Sequence, residues 1–172
     1  DAVRVFCKQI IASTSEYAAA YKLDLAFFEA IGHHGAEILE DVLNSIPDNI
    51  ITIADAKRGD IGNSARFYAK AILEDLSFDS VTITPYMGTD SVLPFLHFPG
   101  KAAFVLARTS NPGGADFQLL ETDGIPLYQR VASKCISWEE ESKGTIGFVA
   151  GATDLESLAA LRRIGPDTPL LI

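Results

Sequence analysis

No stretch of this sequence approaches the roughly 20 consecutive apolar residues that a membrane-spanning helix needs. Its opening residues, DAVRVFCKQIIAST, mix acidic, basic and apolar side chains and do not read as a secretory leader. Positive charge is in short supply: 14 Lys and Arg stand against 23 Asp and Glu, for a formal net charge of −9. Nucleic-acid surfaces work by neutralising many phosphates, so this balance argues against nucleic acid as a partner. A small anionic substrate remains compatible if a few basic side chains gather at one place. Cysteine is scarce too, and neither Cys7 nor Cys135 has CxxC spacing or an attendant His pattern. We read both as buried thiols of a reducing, cytoplasmic compartment, and expect neither a disulfide nor a metal site. His33 and His34 are adjacent, so on a helix they project about 100° apart and make a poor metal pair. His97 stands alone. There is no GxGxxG or P-loop pattern, no internal repeat, no low-complexity tract and no linker.

What is present is an alternation. Short apolar or β-branched runs at 18–22, 50–54, 80–84, 102–107, 145–150 and 168–172 are expected to be strands. Helical patterns lie between them at 2–15, 26–45, 61–76, 89–97, 126–141 and 153–164. Ile38, Leu39, Val42, Leu43 and Ile46 follow the spacing of a buried helix face, and Phe67, Ala71, Ile72 and Leu76 do so less regularly. Strand and helix taking turns imply an α/β fold with a parallel sheet. Polar or Gly-rich clusters follow nearly every strand: DAKRGD, TPYMGTD, RTSNPGG and GATD. A closed barrel keeps its chemistry in such loops at the carboxyl ends of its strands. We therefore expect one domain over residues 1–172, a TIM-type (β/α)8 barrel of which six βα units are legible. Its first strand, and whatever follows the seventh, are expected to lie outside these residues. The longest loop is expected at 108–125.

The densest chemistry is Asp55-Ala56-Lys57-Arg58-Gly59-Asp60. Asp55 and Lys57 are two apart at an expected strand end, so both side chains point to one face. Asp60 follows three residues later, with Gly59 easing the turn into a helix that begins near Ile61. Lys22 closes the preceding strand run and can bring a second ammonium to the same rim. A purely structural account makes Asp60 a helix N-cap and Asp55–Lys57 an ordinary ion pair. Against it stand the cost of burying charge without a purpose and the position at a strand's carboxyl end.

The segment DAKRGDIGNSARFYAKAI resembles the signature of orotidine 5′-phosphate decarboxylases, Asp-x-Lys-x-x-Asp-Ile/Val-x-x-Thr. YKLDLAFFEAIG before it, and TPYMGTDSVLPF, ARTSNPGGADFQ and GFVAGAT after it, agree in order. The likeness covers nearly all 172 residues and is nearest to the longer-looped subgroup of that family. DxKxxD alone is shared with sugar-phosphate decarboxylases and synthases of the same superfamily; five ordered segments are far more specific. The resemblance implies a charge network of Lys22, Asp55, Lys57 and Asp60, with Lys57 as proton donor. It implies that Asp60, Ile61 and Ser64 reach into the neighbouring subunit's site in a homodimer, and that Ser110 contacts the pyrimidine. The sequence departs from the family at Ser64, where Thr is usual, and at Leu23-Asp24, where Pro-Asn is usual. The family's first-strand Asp and its phosphate-gripping elements after the seventh strand have no counterpart in these residues.

The activity so implied is decarboxylation of orotidine 5′-phosphate to UMP in de novo pyrimidine biosynthesis, with no metal or organic cofactor. Three other readings compete. A related sugar-phosphate decarboxylase would use the same DxKxxD, typically with Mg²⁺. A Schiff-base aldolase would need a neutral Lys57, which paired carboxylates oppose. A non-catalytic remnant would lack grip on the phosphate.

Overall fold

The computed structural model describes residues 2–140 and 142–172. Helix α1 (Ala2–Thr14) leads into strand β1 (Ala20–Asp24), then α2 (Leu25–Glu29), α3 (His33–Leu43) and β2 (Ile51–Arg58). Helix α4 (Gly62–Ala69) runs into a π-helical turn (Lys70–Asp75), followed by β3 (Ser80–Ile83), α5 (Thr89–Val92) and a 3₁₀ turn (Leu93–His97). Strand β4 (Ala102–Arg108) precedes a 3₁₀ turn (Pro112–Asp116) and the small hairpin β5 (Glu121–Thr122) and β6 (Ile125–Pro126). The remaining elements are α6 (Leu127–Glu140), β7 (Thr145–Ala150), α7 (Leu155–Ile164) and β8 (Leu170–Leu171).

Six strands form one curled, all-parallel sheet in the order β1-β2-β3-β4-β7-β8, an incomplete TIM-type barrel. All six expected strands are there. Parallel neighbours need a crossover, and here each crossover carries helix. In β4 the residues alternate, with Ala103, Val105 and Ala107 buried while Phe104, Leu106 and Arg108 are half-exposed. Helices cover one face and the other forms the concave inner wall, so only half of this apolar run is fully covered.

The core lies between the sheet and the helices. Phe78, Phe95 and Phe148 are its largest fully buried side chains, each contributing about 1.5–3 kcal/mol over an exposed position. On α3, Ile38, Leu39 and Val42 are buried, with Ile46 just beyond and Leu43 half-buried, as the spacing predicts. Cys135 is buried and Cys7 half-buried, both as free thiols.

Some boundaries differ from expectation. The helix expected over 26–45 is two helices, because the chain turns at Gly32, whose φ of 80° favours glycine. The second helix then packs so closely that a Cβ on Gly35 would sit 1.8 Å from the Phe28 carbonyl oxygen. Of the face expected in the 61–76 helix, Ile72 is buried and Leu76 half-buried, but Phe67 and Ala71 are exposed, and Ala65, Ala69 and Leu73 are buried in their place. The buried positions 65, 69, 72 and 73 keep regular helical spacing, with small alanines in α4 where the larger Phe67 was expected. The expected 108–125 loop carries the 3₁₀ turn and most of the hairpin. Of the helix expected over 126–141, residue 141 lies outside the described residues.

Candidate active site

Strand β2 runs to Arg58, past its expected end, so Asp55 and Lys57 lie within the strand rather than at its tip. The run is not regular: the pairing with β3 slips between Ala54 and Arg58, and Lys57 adopts a φ of 46°. That is a β-bulge built on a left-handed lysine, a conformation that costs roughly 1–3 kcal/mol and persists only where its surroundings enforce it.

Asp55 is the centre of the cluster and is only 8% exposed. Lys22 Nζ, from β1, lies 2.5 Å from Oδ2, and Lys57 Nζ lies 2.5 Å from Oδ1. From β3, the Thr82 hydroxyl donates to Oδ1 at 2.9 Å. Burial pushes the Asp55 carboxyl up, but hydrogen bonds from Lys22, Lys57 and Thr82 outweigh it and hold the group below the usual carboxylate range. The two lysine side chains are 41% and 51% exposed, so their ammonium groups are pinned by the carboxylate yet open to a ligand.

The other expected residues are placed differently. Asp60 is half-buried, and its Oδ1 accepts from the Ile61 N–H at 2.8 Å. It does not cap α4, whose N-cap residue is Ile61; the helix starts one residue too late for that role. Among the described residues Asp60 forms no ion pair. This chain thus joins Lys22, Asp55 and Lys57 and leaves Asp60 apart. Ile61 and Ser64 are exposed nearby, at the start of α4. Ser110 is exposed in the turn after β4, backed by Gly151, where a Cβ would meet the Ser110 nitrogen at 3.0 Å. At the unusual Leu23-Asp24 pair, Leu23 is buried and Asp24 caps α2 by accepting from the Ala26 N–H at 3.1 Å.

Two sets of residues were not foreseen. Thr82 is one; nothing in the strand run Ser80-Val81-Thr82-Ile83 singles it out. The other fixes the Ser110 turn. Gln118 Oε1 accepts from the Thr109 N–H at 2.9 Å while Nε2 donates to Thr109 Oγ1 at 2.8 Å. Arg108 donates to Gln118 Oε1 and, through Nε, to Asp154 Oδ2, each at 3.3 Å. Asp154 caps α7, and hydrogen bonds from Ser157, assisted by Arg108, lower its carboxyl pKa.

A groove of about 440 Å³ between α1, β1 and α2 reaches Lys22 and Asp24 but is otherwise lined by apolar side chains such as Phe6, Ile10 and Phe27. The charged cluster centres on Asp55, which with Lys57 lies outside that lining.

Residues 5–171 match the family model described as Orotidine 5′-phosphate decarboxylase / HUMPS family. The orotidine 5′-phosphate decarboxylase of Dehalococcoides mccartyi is 46% identical over 171 residues, which are 97% of this chain and 63% of that protein. The one from Christiangramia forsetii is 48% identical over 176 residues, covering 100% of this chain and 64% of its own length. The chain therefore spans a little under two thirds of these curated relatives. The solved structure of Leishmania donovani OMP decarboxylase superposes with a TM-score of 0.94 at 41% identity, over 98% of this chain and 67% of that one. That of Leishmania donovani UMP synthase gives 0.93 and 41%, over 98% and 38%.

Proposed function

Because this chain belongs to the orotidine 5′-phosphate decarboxylase / HUMPS family, we propose that the full-length protein converts orotidine 5′-phosphate to UMP in the cytoplasm, with Lys57 as proton donor. The observation that carries this reading is the buried Asp55 carboxylate held between two open ammonium groups. Residues 1–172 are read as part of one barrel domain.

In this mechanism the bond between pyrimidine C6 and the carboxylate breaks, CO₂ leaves, and the electron pair stays on C6. Fixed positive charge beside C6 stabilises that pair as it forms, and does so without reorganising at the moment of reaction. Lys57 Nζ then transfers a proton to C6, forming the C–H bond of UMP, and regains a proton from solvent. Asp55, held ionised by its donors, keeps both ammonium groups oriented. The step calls on no metal or organic cofactor. Ser110 meets the pyrimidine, and Asp60, Ile61 and Ser64 complete the site of a second copy of the chain.

The test is Lys57→Ala in the full-length protein. Its side chain is 51% exposed and contributes little packing, so circular dichroism should match the parent. UMP formation should fall by at least about a hundredfold to ten-thousandfold, the usual weight of a positioned proton donor. Decarboxylation within tenfold of the parent refutes the assignment.

A further inference from the structure

We propose that Thr82 is a positioning residue of the decarboxylation, its single hydroxyl locking both the Lys57 backbone and the Asp55 carboxylate; this rests on the reading of Lys57 as proton donor. Thr82 is 1% exposed and sits on β3, facing the bulge in β2. Its Oγ1 accepts from the Lys57 N–H at 2.9 Å and donates to Asp55 Oδ1 at 2.9 Å. The direction of both bonds is determined. A backbone N–H can only donate, so the oxygen accepts there, and the hydroxyl hydrogen is left for the carboxylate.

Each bond answers a specific difficulty. The bulge puts Lys57 out of the regular ladder at φ 46°, and its N–H needs a partner other than a strand carbonyl. Thr82 provides one and so fixes where the Lys57 side chain departs from the strand. On the other side, Asp55 Oδ1 takes both Thr82 and Lys57, leaving Oδ2 for Lys22. The hydroxyl thereby sets the plane of the carboxylate and hence the placing of both ammonium groups. A reacting group displaced by about 1 Å can cost on the order of a hundredfold in rate.

The experiment compares Thr82→Val, Thr82→Ser and Lys57→Ala in the full-length protein, measuring kcat and KM with orotidine 5′-phosphate across pH. Valine keeps the shape and loses both bonds; serine keeps both bonds and loses a methyl. Valine is expected to lower kcat by roughly tenfold to a hundredfold while KM stays within about threefold. Serine is expected to stay within about threefold of the parent in both. The acid limb of the kcat profile should move to higher pH in the valine variant and return in the serine variant. Asp55, which faces Lys22 from β1, Lys57 from β2 and Thr82 from β3, loses a donor only in the former. Thr82→Ala provides the same readout if the valine protein does not fold. Parent-like kcat for valine alongside an inactive Lys57→Ala overturns the inference and spares the proposed function. So does a serine variant as slow as valine, since the methyl would then be responsible. Activity retained in Lys57→Ala overturns both.

Discussion

Asp55 takes donors from three neighbouring strands, so its protonation couples β1, β2 and β3 as well as setting the charge of the site. In the unfolded chain it titrates near 3.8, and in the folded chain below that. A lowered folded-state pKa contributes stability that is fully present above the unfolded value and is lost as pH falls through the folded one. Asp55→Asn leaves two ammonium groups against a neutral amide, and since both lysines are substantially exposed we expect a cost of about 1–3 kcal/mol near neutral pH. Urea unfolding of parent and variant should show that gap constant down to about pH 5 and shrinking below 3.8. A gap that persists unchanged well below that point contradicts the placing of the charge. The Asp-x-Lys spacing made Asp55 and Lys57 legible in the sequence, and the end of the preceding strand run did so for Lys22. Thr82 was not legible, because threonine is an ordinary strand former and nothing in the run SVTI distinguishes a working hydroxyl from a packing methyl. Nor was the bulge, which depends on the register between two strands.

Between β4 and α6, order depends on side chains more than on ladders. Gln118 holds the Thr109 N–H and hydroxyl, and Arg108 ties the same turn to Asp154 at the start of α7. Gln118→Leu removes the two bonds to Thr109 at similar size and leaves that between Arg108 and Asp154. Hydrogen exchange at the Thr109 amide should accelerate by about fivefold, as loss of about 1 kcal/mol of local protection implies. Unchanged exchange there shows that the turn is held by something else. The elements themselves were mostly readable, since all six strands fall within a few residues of the β-branched runs. The break at Gly32 and the hairpin are local geometries that hydrophobic period does not encode. The hairpin turns at Asp123 and Gly124, with φ of 52° and 71°, and an Asp-Gly pair is a good hairpin signal. Its flanking strands are two residues each, too short to show any alternation. In α4 the buried positions are the small Ala65 and Ala69, so the larger Phe67 between them reads as core although it is 71% exposed.

At the scale of the whole molecule, Asp60 is the residue without an evident place. It lies five residues beyond Asp55, half-buried and without an ion pair among the described residues. Close by, α4 and its approach expose the apolar side chains of Ile61, Phe67 and Tyr68 at 54%, 71% and 41%. In the proposed dimer, Lys22, Asp55 and Lys57 of one subunit work with Asp60, Ile61 and Ser64 of the other. Two full-length variants, Lys22→Ala and Asp60→Ala, should each be inactive alone. Mixed under subunit exchange, each heterodimer has one site with both lesions and one with neither. Random pairing makes about half of the dimers mixed, so roughly a quarter of all sites should recover. If Asp60 serves its own subunit, every site keeps one lesion and nothing recovers. Mass spectrometry of the mixture establishes that exchange has occurred. Inactivity despite proven exchange removes Asp60 from the partner's site, while leaving the Lys22–Asp55–Lys57 cluster and its chemistry intact.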